Sequence, residues 1–474
     1  MQVKEYLTKV KGGQIDLEDF LGKTLEKIEK IQEKYSPFIT VNKDYDLKKL
    51  KKGKLFGLPI SIKDNICTKD LRTTAGARIL HKYVPPFDSF VTKKVKEEGA
   101  VILGKTTMDQ FGHGVFSINT PFSIPKNPWD TERTCGGSSG GAGCLTSVSD
   151  FPHIAIGEST GGSISAPTSF TNTVGITPTY GLVSRWGLIS YANSLDKIGT
   201  IAKTVEDASL LLSIIAGHDN MDSTSLDTKE EDYTSYLVND VKGMKIGVPK
   251  EYFGEGVDEE IKKVIWRNIK KLESLGATYE ECSLPHTEVV VPTYYIIAMC
   301  ETSTNLAKLC GLRYGLEKEI KDGEGFNEYF SKVRKEGFAE EAKRRIIMGT
   351  YARMAGYRDQ FYLKAMKVRT LVIQDFKKAF KKYDVLISPS MPILPPKFSE
   401  IEKLTPLQVY MLDILTNPPN LAGVPMISVP GGFSQGLPVG MHIIADHLQE
   451  KKMIQVAHTF EQNTDYHKQQ PVMK

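Results

Sequence analysis

The chain has 474 residues, of which 40% are apolar and 25% charged. That length suits two or three ordinary domains and allows a large buried core, so neither disulfides nor a metal is needed to fold it. Net charge is +4, from 61 basic and 57 acidic side chains, too balanced to grip nucleic acid or a membrane by charge alone. Cys67, Cys135, Cys144, Cys282, Cys300 and Cys310 form no C-x-x-C pair, which leaves zinc binding and redox chemistry without support and suits free thiols in a reducing compartment. The first residues lack the look of a signal or transit peptide, and no run reaches the ~18 apolar residues of a membrane span. A cytoplasmic protein is the expectation.

Residues 15–35 read as an amphipathic helix: Leu17, Leu21, Leu25 and Ile28 recur at helical spacing, with Phe20 and Ile31 on the same side. Residues 48–54 carry five lysines with no aromatic partner, the pattern of a solvated loop rather than a phosphate-contacting patch. Residues 56–62 predict a buried strand, 88–98 a helix and 100–103 a second strand. Further strands are predicted at 153–156, 245–248, 384–388, 427–429 and 439–444, with a helix at 258–275 and a polar loop at 219–232. Residues 286–382 read as almost wholly helical and highly charged, a helical insertion beside the sheet. Residues 1–55 form an N-terminal helical part, and 383–474 return to the core sheet. Strands alternating with helices predict an α/β fold with a central mixed sheet flanked by helices.

The chemistry concentrates in two loops and one lysine. Thr134-Cys-Gly-Gly-Ser-Ser-Gly-Gly-Ala-Gly143 packs five glycines into eight residues. Its place inside a patterned region argues for a rigid loop whose backbone approaches a ligand, not for a linker. Gly157-Glu-Ser-Thr-Gly-Gly-Ser163 follows a predicted strand; it reads either as a plain tight turn or as a nest of N–H groups from Thr160, Gly161, Gly162 and Ser163 facing an oxyanion. Lys63 closes an apolar strand. It is either a surface residue or a partly desolvated base, and Ser–Lys pairing is a known variant of the serine triad. His153 sits in a strand pattern and reads as a packed residue.

Three formal motifs carry less weight. Residues 99–106 fit the phosphate-loop pattern, yet Val101, Ile102 and Leu103 read as a strand and a helix precedes them. Gly137-Ser-Ser-Gly-Gly141 fits the G-x-S-x-G elbow through Ser139 but follows no convincing strand. Ser194-Leu-Asp-Lys197 fits S-x-x-K without its companion motifs.

Together, Lys63, the double-serine loop and the Ser163 turn resemble the amidase signature family. The resemblance implies a single amidase-type domain over 1–474 with its catalytic core in 56–218. It implies a Ser–cis-Ser–Lys triad with Ser163 as nucleophile, Ser138 as bridging serine behind a cis peptide, and Lys63 as general base. Thr160, Gly161 and Gly162 would supply the oxyanion donors. Met244-Lys-Ile-Gly-Val-Pro-Lys-Glu-Tyr-Phe253 and Asn420-Leu-Ala-Gly-Val-Pro425, with other stretches between about residues 10 and 470, are similar to the glutaminase subunits of tRNA-dependent amidotransferases. That likeness implies hydrolysis of glutamine through a glutamyl-Ser163 acyl-enzyme, with Arg345 on the substrate α-carboxylate and Asp413 on its α-amino group. It also implies B and C partner subunits, mischarged Glu-tRNA(Gln) or Asp-tRNA(Asn) contacted mainly through B, ATP and magnesium in the partner, and no cofactor, metal or membrane contact in this chain. The rival readings are a free-standing amidase for another carboxamide and a nucleotide-binding module using residues 99–106. The chain also departs from the family's usual Gly-Ser-Asp-Thr-Gly-Gly-Ser-Ile-Arg: it reads Gly157-Glu-Ser-Thr-Gly-Gly-Ser-Ile-Ser165, with one extra residue between Ser138 and Ser163.

Overall fold

A computed structural model describes residues 1–472. In chain order its strands are β1 (Phe38–Val41), β2 (Pro59–Lys63), β3 (Val101–Thr106), β4 (Lys126–Asn127), β5 (Asp130–Thr134), β6 (Ile154–Ser159), β7 (Val174–Thr177), β8 (Lys197–Ala202), β9 (Lys245–Pro249), β10 (Thr278–Cys282), β11 (Val385–Pro389), β12 (Met426–Ser434) and β13 (Leu437–Ala445). Among the described residues, eleven of them form one sheet in the order β1-β3-β2-β6-β8-β7-β12-β13-β11-β9-β10, while β4 and β5 pair separately. The sheet is mixed. β2 runs parallel to β3 and β6, β9 parallel to β10 and β11, and the central β6-β8-β7-β12-β13-β11 run is antiparallel. The expected α/β class and its mixed sheet are therefore what the chain forms.

Local sequence explains the helix limits. The first long helix begins at Leu17, two residues later than its apolar spacing suggests, because Asp16 caps it by accepting from the N–H groups of Glu18 and Asp19. Ser89 caps Phe90–Glu97 through the Thr92 N–H, and Asp258 caps Glu259–Ser274. That last helix buries Ile261, Val264, Ile265, Ile269 and Leu272 against the sheet side of the core.

Strands β2, β3, β6, β7, β8, β11 and β13 are buried at every position, as expected of strands covered on both faces. The helical segment needs one correction. It contains Val290–Asn305, Phe326–Gly337, Glu340–Ala352 and Lys364–Ala379, but residues 309–325 hold no helix. Gly311, Gly315 and Gly323 there adopt positive φ of 84°, 95° and 77°, which interrupts a helix. Among the described residues, no helix is long and apolar enough to cross a membrane.

Candidate active site

Register builds the site. Parallel β2 and β6 pair Ile62 with Ile156, so the last residue of β2, Lys63, lies beside the end of β6 and the turn that follows. Carboxyl ends of parallel strands are where open α/β sheets collect reactive groups. Lys63 is fully buried. Its Nζ stands 2.8 Å from each of Ser138 Oγ, the Glu158 carbonyl oxygen and Glu158 Oε2. Burial pushes the Lys63 amine below the ordinary lysine value, while Glu158, Asp109 and Asp196 pull it back up.

Ser138 follows a cis Gly137–Ser138 peptide. Gly137 has no room for a side chain: a Cβ there would lie 2.4 Å from Asp109 Oδ2 and 2.6 Å from the Ser117 nitrogen. Asp109 braces this corner by accepting from the N–H groups of Ser117 (2.8 Å) and Asn119 (2.9 Å). Ser139 begins the helix Gly140–Val148. Its N–H donates to the Ser163 carbonyl at 3.2 Å, tying the two glycine-rich loops together, and its hydroxyl donates to the Glu158 carbonyl at 3.1 Å.

Ser163 is 6% exposed, in contrast to the sealed lysine. The N–H groups of Thr160, Gly161, Gly162 and Ser163 find no acceptor among the described residues, so they remain available to a substrate oxygen. The turn is pressed against a polar wall. A Cβ on Gly161 would meet Tyr294 Oη at 2.5 Å and Asn417 Oδ1 at 2.6 Å, and one on Gly162 would meet Thr416 Oγ1 at 2.4 Å.

Arg345 is 3% exposed although its helix reads as charged. Its Nε donates to Glu341 Oε1 at 2.8 Å and its Nη1 to Tyr191 Oη at 2.6 Å. The rings of Tyr191, Tyr295 and Tyr410 surround the guanidinium at 5.2–5.5 Å, a favourable setting for a delocalised cation. Asp413 is joined to this cage by Tyr295, whose hydroxyl donates to Asp413 Oδ2 at 2.7 Å. Burial pushes the Asp413 carboxyl up to about 6, against the pull of Tyr295 and Arg345. Gly112 links the two halves: a Cβ there would lie 3.6 Å from Ser138 Oγ and 3.7 Å from Tyr191 Cδ1.

The structure thus brings Lys63, Ser138 and the Ser163 turn into one corner and sets Arg345 and Asp413 about a shared tyrosine. Sequence reasoning missed Asn65, Asp196, Tyr191, Tyr295 and Asn417; no local pattern marks them, because each comes beside the site's Glu158, Thr160, Gly161, Arg345 or Asp413 from a segment distant in the chain. Residues 101–106 of the phosphate-loop match form buried β3, with Lys105 held by the Ile66 carbonyl and Thr68 Oγ1, so no open loop is there to cradle phosphate. His153 is buried against Ser61 Oγ at 2.9 Å. Lys197 opens β8 and donates to the Val424 carbonyl at 3.1 Å. Among the described residues, no cluster of three or more His, Cys, Asp or Glu side chains is placed to hold a metal ion.

Known proteins bear on this geometry. A family model described as Amidase matches residues 19–454. The A subunit of Glutamyl-tRNA(Gln) amidotransferase from Carboxydothermus hydrogenoformans is 47% identical over 99% of this chain and 99% of its own length. The protein of the same description from Methanosarcina mazei is 48% identical over 99% of this chain and 98% of its own. The crystal structure of the corresponding Glutamyl-tRNA(Gln) amidotransferase protein from Thermotoga maritima is 38% identical, covering 98% of this chain and 95% of that one with a TM-score of 0.83. With the match running through both loops and the lysine strand, the chain belongs to the amidase family.

Proposed function

We propose that the chain is the glutamine-hydrolysing subunit of a tRNA-dependent amidotransferase, working in the cytoplasm with B and C partner subunits. The observation that carries the reading is the contact of a fully buried Lys63 with Ser138 at 2.8 Å, beside a loop whose N–H groups are unengaged.

In this reaction Ser163 Oγ attacks the glutamine carboxamide carbon. Its proton passes to Ser138 Oγ as the Ser138 proton passes to the Lys63 amine. The carbonyl oxygen gains negative charge against the N–H groups of Thr160, Gly161 and Gly162; one such donor is worth about 3–4 kcal/mol in acyl transfer. The proton on Lys63 returns through Ser138 to the leaving nitrogen, and ammonia departs from a glutamyl-Ser163 ester. Water, deprotonated along the same route, releases glutamate. The free part of the Arg345 fork takes the α-carboxylate, and ionised Asp413 takes the α-ammonium. Ammonia would then go to the B subunit, which would hold the ATP and magnesium that supply activation of the carboxylate carried by mischarged Glu-tRNA(Gln) or Asp-tRNA(Asn).

The test is ammonia release from glutamine by the chain with and without its partner subunits, wild type against Ser163→Ala. Undiminished release by the alanine variant would remove the reading. Hydrolysis of simple amides with no preference for glutamine would replace it by a free-standing amidase.

A further inference from the structure

The proposed reaction gives no role to the buried carboxylate that touches its base. Glu158 on β6 is 1% exposed, and an isolated charge there would be strongly disfavoured. It is not isolated. Oε2 accepts from Lys63 Nζ at 2.8 Å and from Asn65 Nδ2 at 3.1 Å, and Oε1 lies 2.9 Å from Thr160 Oγ1. Three donors around two oxygens suit an ionised carboxylate, which only accepts. Thr160 Oγ1 is also 2.8 Å from Asp196 Oδ1. A hydroxyl has one proton, so it donates to one of these carboxyls, and the other contact is attractive when that carboxyl is protonated. Asp196 fits that part, because burial and the charge of Glu158 push it up to about 8.

The lysine's three contacts have a matching logic. An ammonium donates all three of its hydrogens, to Ser138 Oγ and to two oxygens of Glu158. A neutral amine has two hydrogens and one lone pair. If the two hydrogens stay on the Glu158 carbonyl and carboxylate, the lone pair faces the Ser138 hydroxyl, the direction from which the reaction delivers a proton.

We infer that Glu158 is a positioning residue for Lys63: its two oxygens hold the amine's hydrogens, aim the lone pair at Ser138, and supply the counter-charge that fixes the pH at which the lysine becomes a base. The inference rests on the reaction proposed above. Of the other carboxyls around Lys63, Asp109, from the segment after β3, acts in the same direction as Glu158, and Asp196, from the segment before β8, adds to it only when ionised. Arg345 bears on Asp109, His113 is kept neutral by burial, and neighbouring Asp64 is turned toward the N–H groups of Thr74 and Gly76. Glu158 alone among these carboxylates touches Lys63 Nζ. An opposite charge at contact favours the ammonium by about 1–3 pH units, so wild type needs a higher pH to act than burial of the lysine alone would set.

The experiment is the pH dependence of kcat at saturating glutamine, in the full chain assembled with its partner subunits. Glu158→Gln keeps an acceptor oxygen and removes the charge; the acid limb of its profile is expected to move down by about one pH unit or more. Glu158→Ala removes the acceptor, and its plateau is expected to fall about tenfold or more through lost aim of the lone pair. A Glu158→Gln limb that stays in place or moves up overturns the inference, as does a Glu158→Ala variant with the wild-type profile. If Glu158→Gln does not fold, Glu158→Ser, which carries the family's usual residue, tests the same shift. Ser163→Ala separates the two levels: retained hydrolysis there sinks the reaction itself, whereas its loss together with an unmoved Glu158→Gln limb sinks only the role of Glu158.

Discussion

The lysine corner and the arginine cage are built by different physics. Lys63 and Glu158 sit on adjacent parallel strands, where a hydrogen-bonded register fixes their relative height and full burial seals them. Arg345 sits on the helix Glu340–Ala352, whose Ile347, Met348 and Tyr351 are exposed, and it is held by side chains from other segments: Tyr191, Tyr295 and Tyr410. The paired ends of two interior strands can hold a proton relay in a fixed geometry. A helix bearing a ring cage can present charge to a substrate and still be altered without disturbing that relay. Bond-making should therefore depend on the first region and selection of the substrate on the second.

The largest break in that division comes from the sheet side. Ser163→Ala and Lys63→Ala are expected to lower kcat on the order of 10^4-fold or more, with little change in the affinity for glutamine measured by calorimetry. Lys63→Arg should fail equally, because arginine does not release its proton at working pH. On the helix side, Arg345→Ala removes a charge-assisted pair with the α-carboxylate, about 3 kcal/mol, and should raise KM on the order of 100-fold while kcat falls far less. A large kcat loss with unchanged KM would show that the two regions are not separable in this way.

Smaller effects sharpen the contrast. Asp413 titrates at about 6 in the free protein. Below that pH it is protonated and offers no counter-charge to an ammonium, so KM should rise as pH falls, by about tenfold per unit once well below it. Asp413→Asn should give a raised KM that no longer varies over this range. Tyr295→Phe deletes the hydroxyl that donates to Asp413 at 2.7 Å but keeps the ring beside Arg345. A single hydrogen bond of this kind contributes about 1 kcal/mol, so KM should change only a few-fold, and its pH midpoint should move up with the loss of that donor.

Much of this architecture is written locally. Apolar runs mark β2, β3, β6, β9, β11, β12 and β13, and apolar spacing marks the long helices, because strand and helix periods are properties of short segments; the caps Asp16, Ser89 and Asp258 that fix the helix starts emerge only in the structure. The two glycine-rich loops and Lys63 are equally visible. Other strands are not: β1 and β7 have four residues each, and β10, Thr-Tyr-Glu-Glu-Cys at the sheet edge, carries charge because it is only partly covered. What tertiary structure alone decides is which polar groups meet. Glu158 lies 95 positions from Lys63 and reads in sequence as a departure from a family pattern; only the parallel pairing of β2 with β6 makes it the lysine's partner. Arg345 reads as a helix-surface charge until three tyrosines from separate segments enclose it. Periodicity is encoded residue by residue, whereas the burial and pairing of a charge depend on every element packed around it.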